Sequence, residues 1–79
     1  MTAQIQCVKK QALRKKFGSK IRQLRKARGL SQEAFADQCG YARSYMGRIE
    51  GGIANPSLDA IEVLAAALRV PVAELFEGA

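Results

Sequence analysis

Leu13, Phe17, Ile21, Leu24 and Ala27 recur at spacings of four, four, three and three residues, which sets them on one face of a helix over residues 11–28. Lysine and arginine fill its other sides. Gly18 costs that helix about 1 kcal/mol relative to alanine, so it marks either a close approach by another segment or simple tolerance. Gly29 ends the helix. A second helix opens on Ser31, a capping side chain with Glu33 in the first turn behind it, turns Phe35, Ala36 and Cys39 inward, and stops at Gly40. The third runs from about Arg43 to Glu50 and ends at Gly51 and Gly52. Asn55, Pro56 and Ser57 form a turn whose serine caps a fourth helix carrying Leu58, Ile61, Leu64, Ala65 and Leu68. Beyond Pro71 a short fifth helix has Val72, Leu75 and Phe76 as its apolar residues. No alternating stretch competes, so the pattern predicts an all-α domain of five short helices.

The third helix divides sharply. At about 100° per residue, Met46 and Ile49 fall on one side, while Arg43, Ser44, Gly47 and Arg48 fall on the other. The outer face is short, positively charged and low in bulk. Water accepts such a face, and so does the major groove of DNA.

Charge begins to separate these options. Residues 1–28 hold ten of the thirteen basic residues and no acid, whereas residues 29–79 hold three basic residues and all seven acids, within a net charge of +6. Such segregation points to a polyanionic partner, nucleic acid first and an anionic membrane surface second; the plain alternative is a solvated basic helix. The apolar stripe of the first helix is needed to build the domain, which argues against the membrane. At 79 residues the chain makes one domain that hides roughly 60 to 65% of its unfolded surface. Its longest apolar run, residues 63–68, is far short of the roughly 20 needed to span a bilayer. There is no signal-peptide pattern, and a cytoplasmic location is expected.

Cys7 and Cys39 are the two cysteines and histidine is absent, so no zinc spacing is present and neither metal nor cofactor is expected. A disulfide is disfavoured in a reducing cytosol. Cys39 reads as a small buried hydrophobe and Cys7 as part of an exposed polar leader. Glu33 and Asp37 stand four apart on an exposed helix, and without histidine, a cleft or a glycine-rich phosphate loop they do not make a catalytic site. No enzyme is expected.

The second and third helices, joined at Gly40 by a turn of about three residues, have the spacing of a helix-turn-helix, in which the second helix of the pair enters the major groove. The stretch GLSQEAFADQCGYARSYMGRIEGG, followed by NPSLDAIEVLAAALRVPVAELF, resembles the phage-repressor and Cro-type helix-turn-helix family over residues 13–77. Within that family, FGSKIRQLRKARGLSQE with ARSYMGRIE is most similar to the controller proteins of restriction-modification systems. The resemblance implies a five-helix lambda-repressor-like domain, placed over residues 11–79; the first twelve residues match nothing in the family, and residues 1–10 read as a basic leader with no role beyond charge attraction. It implies that Arg43 and Ser44 read bases, with Arg48 a groove contact one turn on. Tyr45 matches a tyrosine that packs against DNA, with a partly buried core edge as the plain alternative. Gln32 and Asn55 are implied phosphate contacts, and Arg25 and Glu50 an ion pair between the first and third helices. Lys20, one of the basic residues of the first helix, is a further expected phosphate contact on grounds of charge.

Several positions depart from the family pattern. Gly51, Ile53 and Ala54 stand where relatives carry basic loop residues, Ala42 replaces the usual capping Ser or Thr, and Arg69 stands where glycine commonly ends the fourth helix. Val63 and Ala66, where relatives carry charge, join Val70, Val72 and Phe76 in an apolar patch suited to a twofold homodimer; the alternative is that they complete a thin core. The expected function is a transcriptional regulator that binds a double-stranded palindromic operator as a dimer, with RNA polymerase a further candidate partner. The alternative is an antitoxin or protein-interaction adaptor on the same fold.

Overall fold

A computed structural model describes the backbone of residues 2–77 and the side chains of residues 12–77. Helix α1 spans Thr2–Ala27, α2 Gln32–Cys39, α3 Arg43–Glu50 and α4 Leu58–Leu68, and a 3-10 helix follows at Val72–Phe76. Two of these elements differ from the sequence expectation. The first helix begins at Thr2 rather than at residue 11, and no break in secondary structure separates a leader at residues 1–10 from the domain. Residues 2–12 lack glycine and proline and are rich in alanine, glutamine and lysine; once a packed segment has nucleated the helix, each added residue gains a hydrogen bond without needing an apolar face. The fifth element is 3-10 rather than α-helical, because only five residues follow Pro71 before the backbone returns to an extended conformation at Glu77. The exposure expected for Cys7 lies outside the described side chains.

Every element contributes to one core. Phe17 and Ile21 of α1 meet Phe35 and Ala36 of α2, Met46 and Ile49 of α3, Leu64, Ala65 and Leu68 of α4, and Leu75 of the 3-10 helix. Leu13, Ala27 and Leu58 were expected in the apolar stripes but are exposed, Leu58 at 80%. They lie towards the ends of their stripes, where the neighbouring helices no longer cover them.

Two caps follow the sequence chemistry. The Ser31 hydroxyl accepts from the Ala34 N–H at 3.0 Å, and that of Ser57 from the Ala60 N–H at 3.1 Å. Gly40 closes α2 in the left-handed region. Arg69 closes α4 in the same region, with φ 59°, although it is not glycine. A side chain there costs about 1 to 2 kcal/mol, partly offset by the greater entropy a glycine loses on folding. R69G is therefore expected to raise the melting temperature by about 4 °C, at roughly 4 to 8 °C per kcal/mol in a domain of this size. A thermal scan showing no rise would mean that Arg69 is unstrained.

The crossing of α1 and α3 resolves the choice left open at Gly18. A β-carbon there would collide with the Ile49 carbonyl oxygen and lie 2.7 Å from that of Glu50, so the two backbones touch. Gly52 holds the next point of contact: its φ is 78°, and a β-carbon would lie 2.8 Å from the Lys15 Cα. The end of α3 is thus seated on α1 at two glycines. That contact sets the angle at which the outer face of α3 leaves the domain. Among the described residues, no helix is long and apolar enough to cross a membrane.

Candidate nucleic-acid interface

Helix α3 buries Met46 and Ile49 almost completely and leaves Arg43, Ser44 and Arg48 exposed, with Gly47 half-buried between them. Its N-cap, Ala42, offers no side-chain acceptor, so the N–H groups at the head of the helix have no side-chain cap. Among the described residues, neither Arg43 nor Arg48 donates a hydrogen bond or forms an ion pair within the protein. Both guanidinium groups keep their full donor capacity for something outside the chain.

One edge of this face is a polar recess lined by Arg22, Arg25, Gln32, Gly47, Glu50 and Gly51. Glu50 is buried there, and its charge is answered on three sides. Arg25 Nε donates to Oε2 at 2.7 Å, Arg25 Nη2 to Oε1 at 3.1 Å, and Gln32 Nε2 to Oε1 at 3.2 Å. Arg25 Nη1 also donates to the Leu30 carbonyl at 2.7 Å, which ties the loop before α2 to the same pair. An acid beside the face is thereby neutralised by the protein itself. The other edge is aromatic: Tyr45 is half-buried, with Tyr41 edge-on to it and the Arg48 guanidinium over its ring.

The residues singled out from sequence fall into separate groups. Arg43, Ser44, Arg48 and Tyr45 share α3. Gln32 is the first residue of α2, beside Gly47, and its amide is already engaged with Glu50. Asn55 lies away from that recess, in an apolar groove with Leu13, Phe17, Pro56, Ile61 and Phe76 among its lining residues. Lys20 lines a shallow groove with Lys16, Ser19, Gln23 and Glu77. It stands about 200° around α1 from Gly18, on the side turned away from α3. Arg22 was missed, yet it borders the recess at the foot of α3. Arg22 is four residues beyond Gly18 and therefore on the same side of α1, which becomes a signal only once α3 is known to cross at Gly18.

The apolar patch also divides. Val63, Val72 and Phe76 are 36%, 40% and 37% exposed, and Ala66 is exposed, but Val70 is half-buried against the core. Phe76 is partly engaged, its ring centroid 5.2 Å from that of Phe17. Cys39 is half-buried and free, and burial pushes its thiol up to about 11. It therefore stays protonated at neutral pH.

Two short helices meeting at a left-handed glycine, the second exposing an arginine-rich face, define a helix-turn-helix, and the chain belongs to the helix-turn-helix family of transcriptional regulators: the model of the helix-turn-helix domain matches residues 16–77. Its relatives include restriction-modification controllers. The control protein C.MunI from a Mycoplasma species is 44% identical over 62 residues, covering 77% of this chain and 84% of that protein. The crystal structure of the controller protein C.AhdI from Aeromonas hydrophila superposes with a TM-score of 0.76 at 50% identity, covering 78% of this chain and 94% of that one. The biofilm master regulator SinR, crystallised with DNA, superposes with a TM-score of 0.73 at 37% identity, covering 77% and 98%.

Proposed function

We propose that the protein is a sequence-specific DNA-binding regulator of the restriction-modification controller type, acting in the cytoplasm on a palindromic operator as a twofold dimer. One observation carries most of the weight: Arg43 and Arg48 project from a helix whose other side is wholly buried, with their donors unspent and the neighbouring acid neutralised. Arg43, at the head of α3, has the reach to donate to O6 and N7 of guanine, a pairing that discriminates by about 1 to 3 kcal/mol. Ser44 and Arg48 extend the reading surface along the groove. The backbone N–H groups at the start of α2, with Arg22 alongside, suit a phosphate oxygen. Lys20 and the other lysines of α1 supply long-range attraction, and Asn55 is a more remote phosphate contact. One helix reads few base pairs, and pairing two copies about 34 Å apart doubles the site. Val63, Ala66, Val72 and Phe76 offer that pairing surface, and a regulator at a promoter also meets RNA polymerase. An antitoxin or adaptor would use the same surface for a different protein and leave the arginine face idle.

The decisive experiment selects bound fragments from a random DNA pool and compares wild type with R43A on the recovered site. R43A is expected to lose about 10- to 100-fold in affinity and to relax preference at one base pair per half-site, with a melting temperature within about 2 °C of wild type because Arg43 is exposed. Unchanged affinity, or a thermal loss like that of a core variant, would remove Arg43 from the reading surface. An asymmetric recovered site would exclude the twofold dimer.

A further inference from the structure

Arginine at a DNA surface has a difficulty of its own. Its side chain carries about 2 kcal/mol of rotamer entropy, and a guanidinium that wanders reads no base sharply. An ion pair would hold it still but occupy the donors that must reach the base edge. Arg48 is held in another way. Its guanidinium carbon lies 5.7 Å from the centroid of the Tyr45 ring, a cation–π contact that at about 0.5 to 1 kcal/mol for an exposed pair biases the group towards one place while leaving its N–H donors free.

The Tyr45 ring is itself supported. Tyr41 meets it with ring centroids 5.1 Å apart and an interplanar angle of 89°, the edge-to-face geometry that aromatic pairs favour. Tyr41 has a fixed base, because its N–H closes α2 by donating to the Ala36 carbonyl at 2.9 Å and its half-buried ring packs against the core. The three side chains form a ladder from the helix-turn-helix turn to the reading face.

We propose that Tyr41 is a positioning residue for base recognition, setting how sharply Arg48 discriminates its base pair by bracing the Tyr45 ring on which the guanidinium rests. This rests on the DNA-reading role of α3 argued above. Tyr41 itself need not touch DNA. Its influence should appear at the base pair that Arg48 reads and nowhere else in the site.

The test measures binding to every single-base variant of the selected site for wild type, R48A, Y41F, Y41L and the double variant Y41L/R48A, each checked for folding by circular dichroism. R48A identifies the base pair concerned. Y41F keeps the ring and is expected to match wild type, whereas Y41L is expected to lower discrimination at that pair by about 2- to 10-fold, as loss of an edge-to-face contact would. In the R48A background, Y41L should have no further effect there; a merely structural tyrosine would instead weaken all positions alike in both backgrounds. Should Y41L fold poorly, Y41M provides the same comparison. Discrimination that survives both Y41L and Y41M, or an R48A variant that relaxes no position, overturns the role of Tyr41 while leaving DNA reading by Arg43 intact. A wild-type protein with no sequence preference would overturn the regulator function itself.

Discussion

Alanine at position 18 is expected to destabilise the fold by about 3 kcal/mol, although alanine is the better helix former by about 1 kcal/mol. The sign is decided by packing. A methyl group on Gly18 would run into the Ile49 carbonyl and sit 2.7 Å from that of Glu50, and both are backbone atoms that cannot swing aside like a flexible side chain. To make room, α1 and α3 must separate, which opens the core around Phe17, Ile21, Met46 and Ile49. A domain of 79 residues has a total stability on the order of 4 to 12 kcal/mol, so the loss is a large fraction of it. The melting temperature should fall by about 12 to 24 °C. Urea and thermal unfolding of G18A would check this, and a gain in stability would show that α1 and α3 do not touch at this point.

Removing the Glu50 carboxylate should have an effect of similar size. E50A is expected to cost about 3 kcal/mol, because deleting one partner of a buried ion pair strands the other. Arg25 would keep its bond to the Leu30 carbonyl but lose both bonds to Glu50, and the Gln32 amide would lose its acceptor as well. Replacing both charges is a different experiment. R25M/E50M leaves no buried charge unmatched and should be less destabilised than E50A, although the Leu30 carbonyl and Gln32 amide lose partners. Urea denaturation of both variants measures the difference, and an E50A protein within about 1 kcal/mol of wild type would mean that water replaces the pair without loss.

These two positions also show where sequence reading stops. Gly18 could be flagged as out of place in a helix, but periodicity along one chain says nothing about which segment crosses above it. Lys20 and Arg22 make the same point on the functional side. Both are basic residues on one helix, and choosing between them required knowing that α3 crosses at Gly18, which puts Arg22 beside the recess and turns Lys20 away. Val70 and Phe76 read as members of one exposed patch, yet Val70 packs on the core and Phe76 leans on Phe17. Tyr41 gave no sign that its ring would meet Tyr45, since the contact depends on the turn at Gly40 as much as on spacing.

The order of residues by itself determined the helices at the centre of the protein, their two serine caps, the division of α3 into buried and exposed sides, and the concentration of positive charge on α1. These are local matters, governed by hydrophobic period, by capping chemistry and by the count of charges. The tertiary structure alone decided which backbone meets Gly18, which cations share a recess with α2, how Glu50 is neutralised, and what steadies Arg48. Each of those depends on contacts between segments far apart in the chain, where packing and buried electrostatics, rather than local propensity, set the free energy.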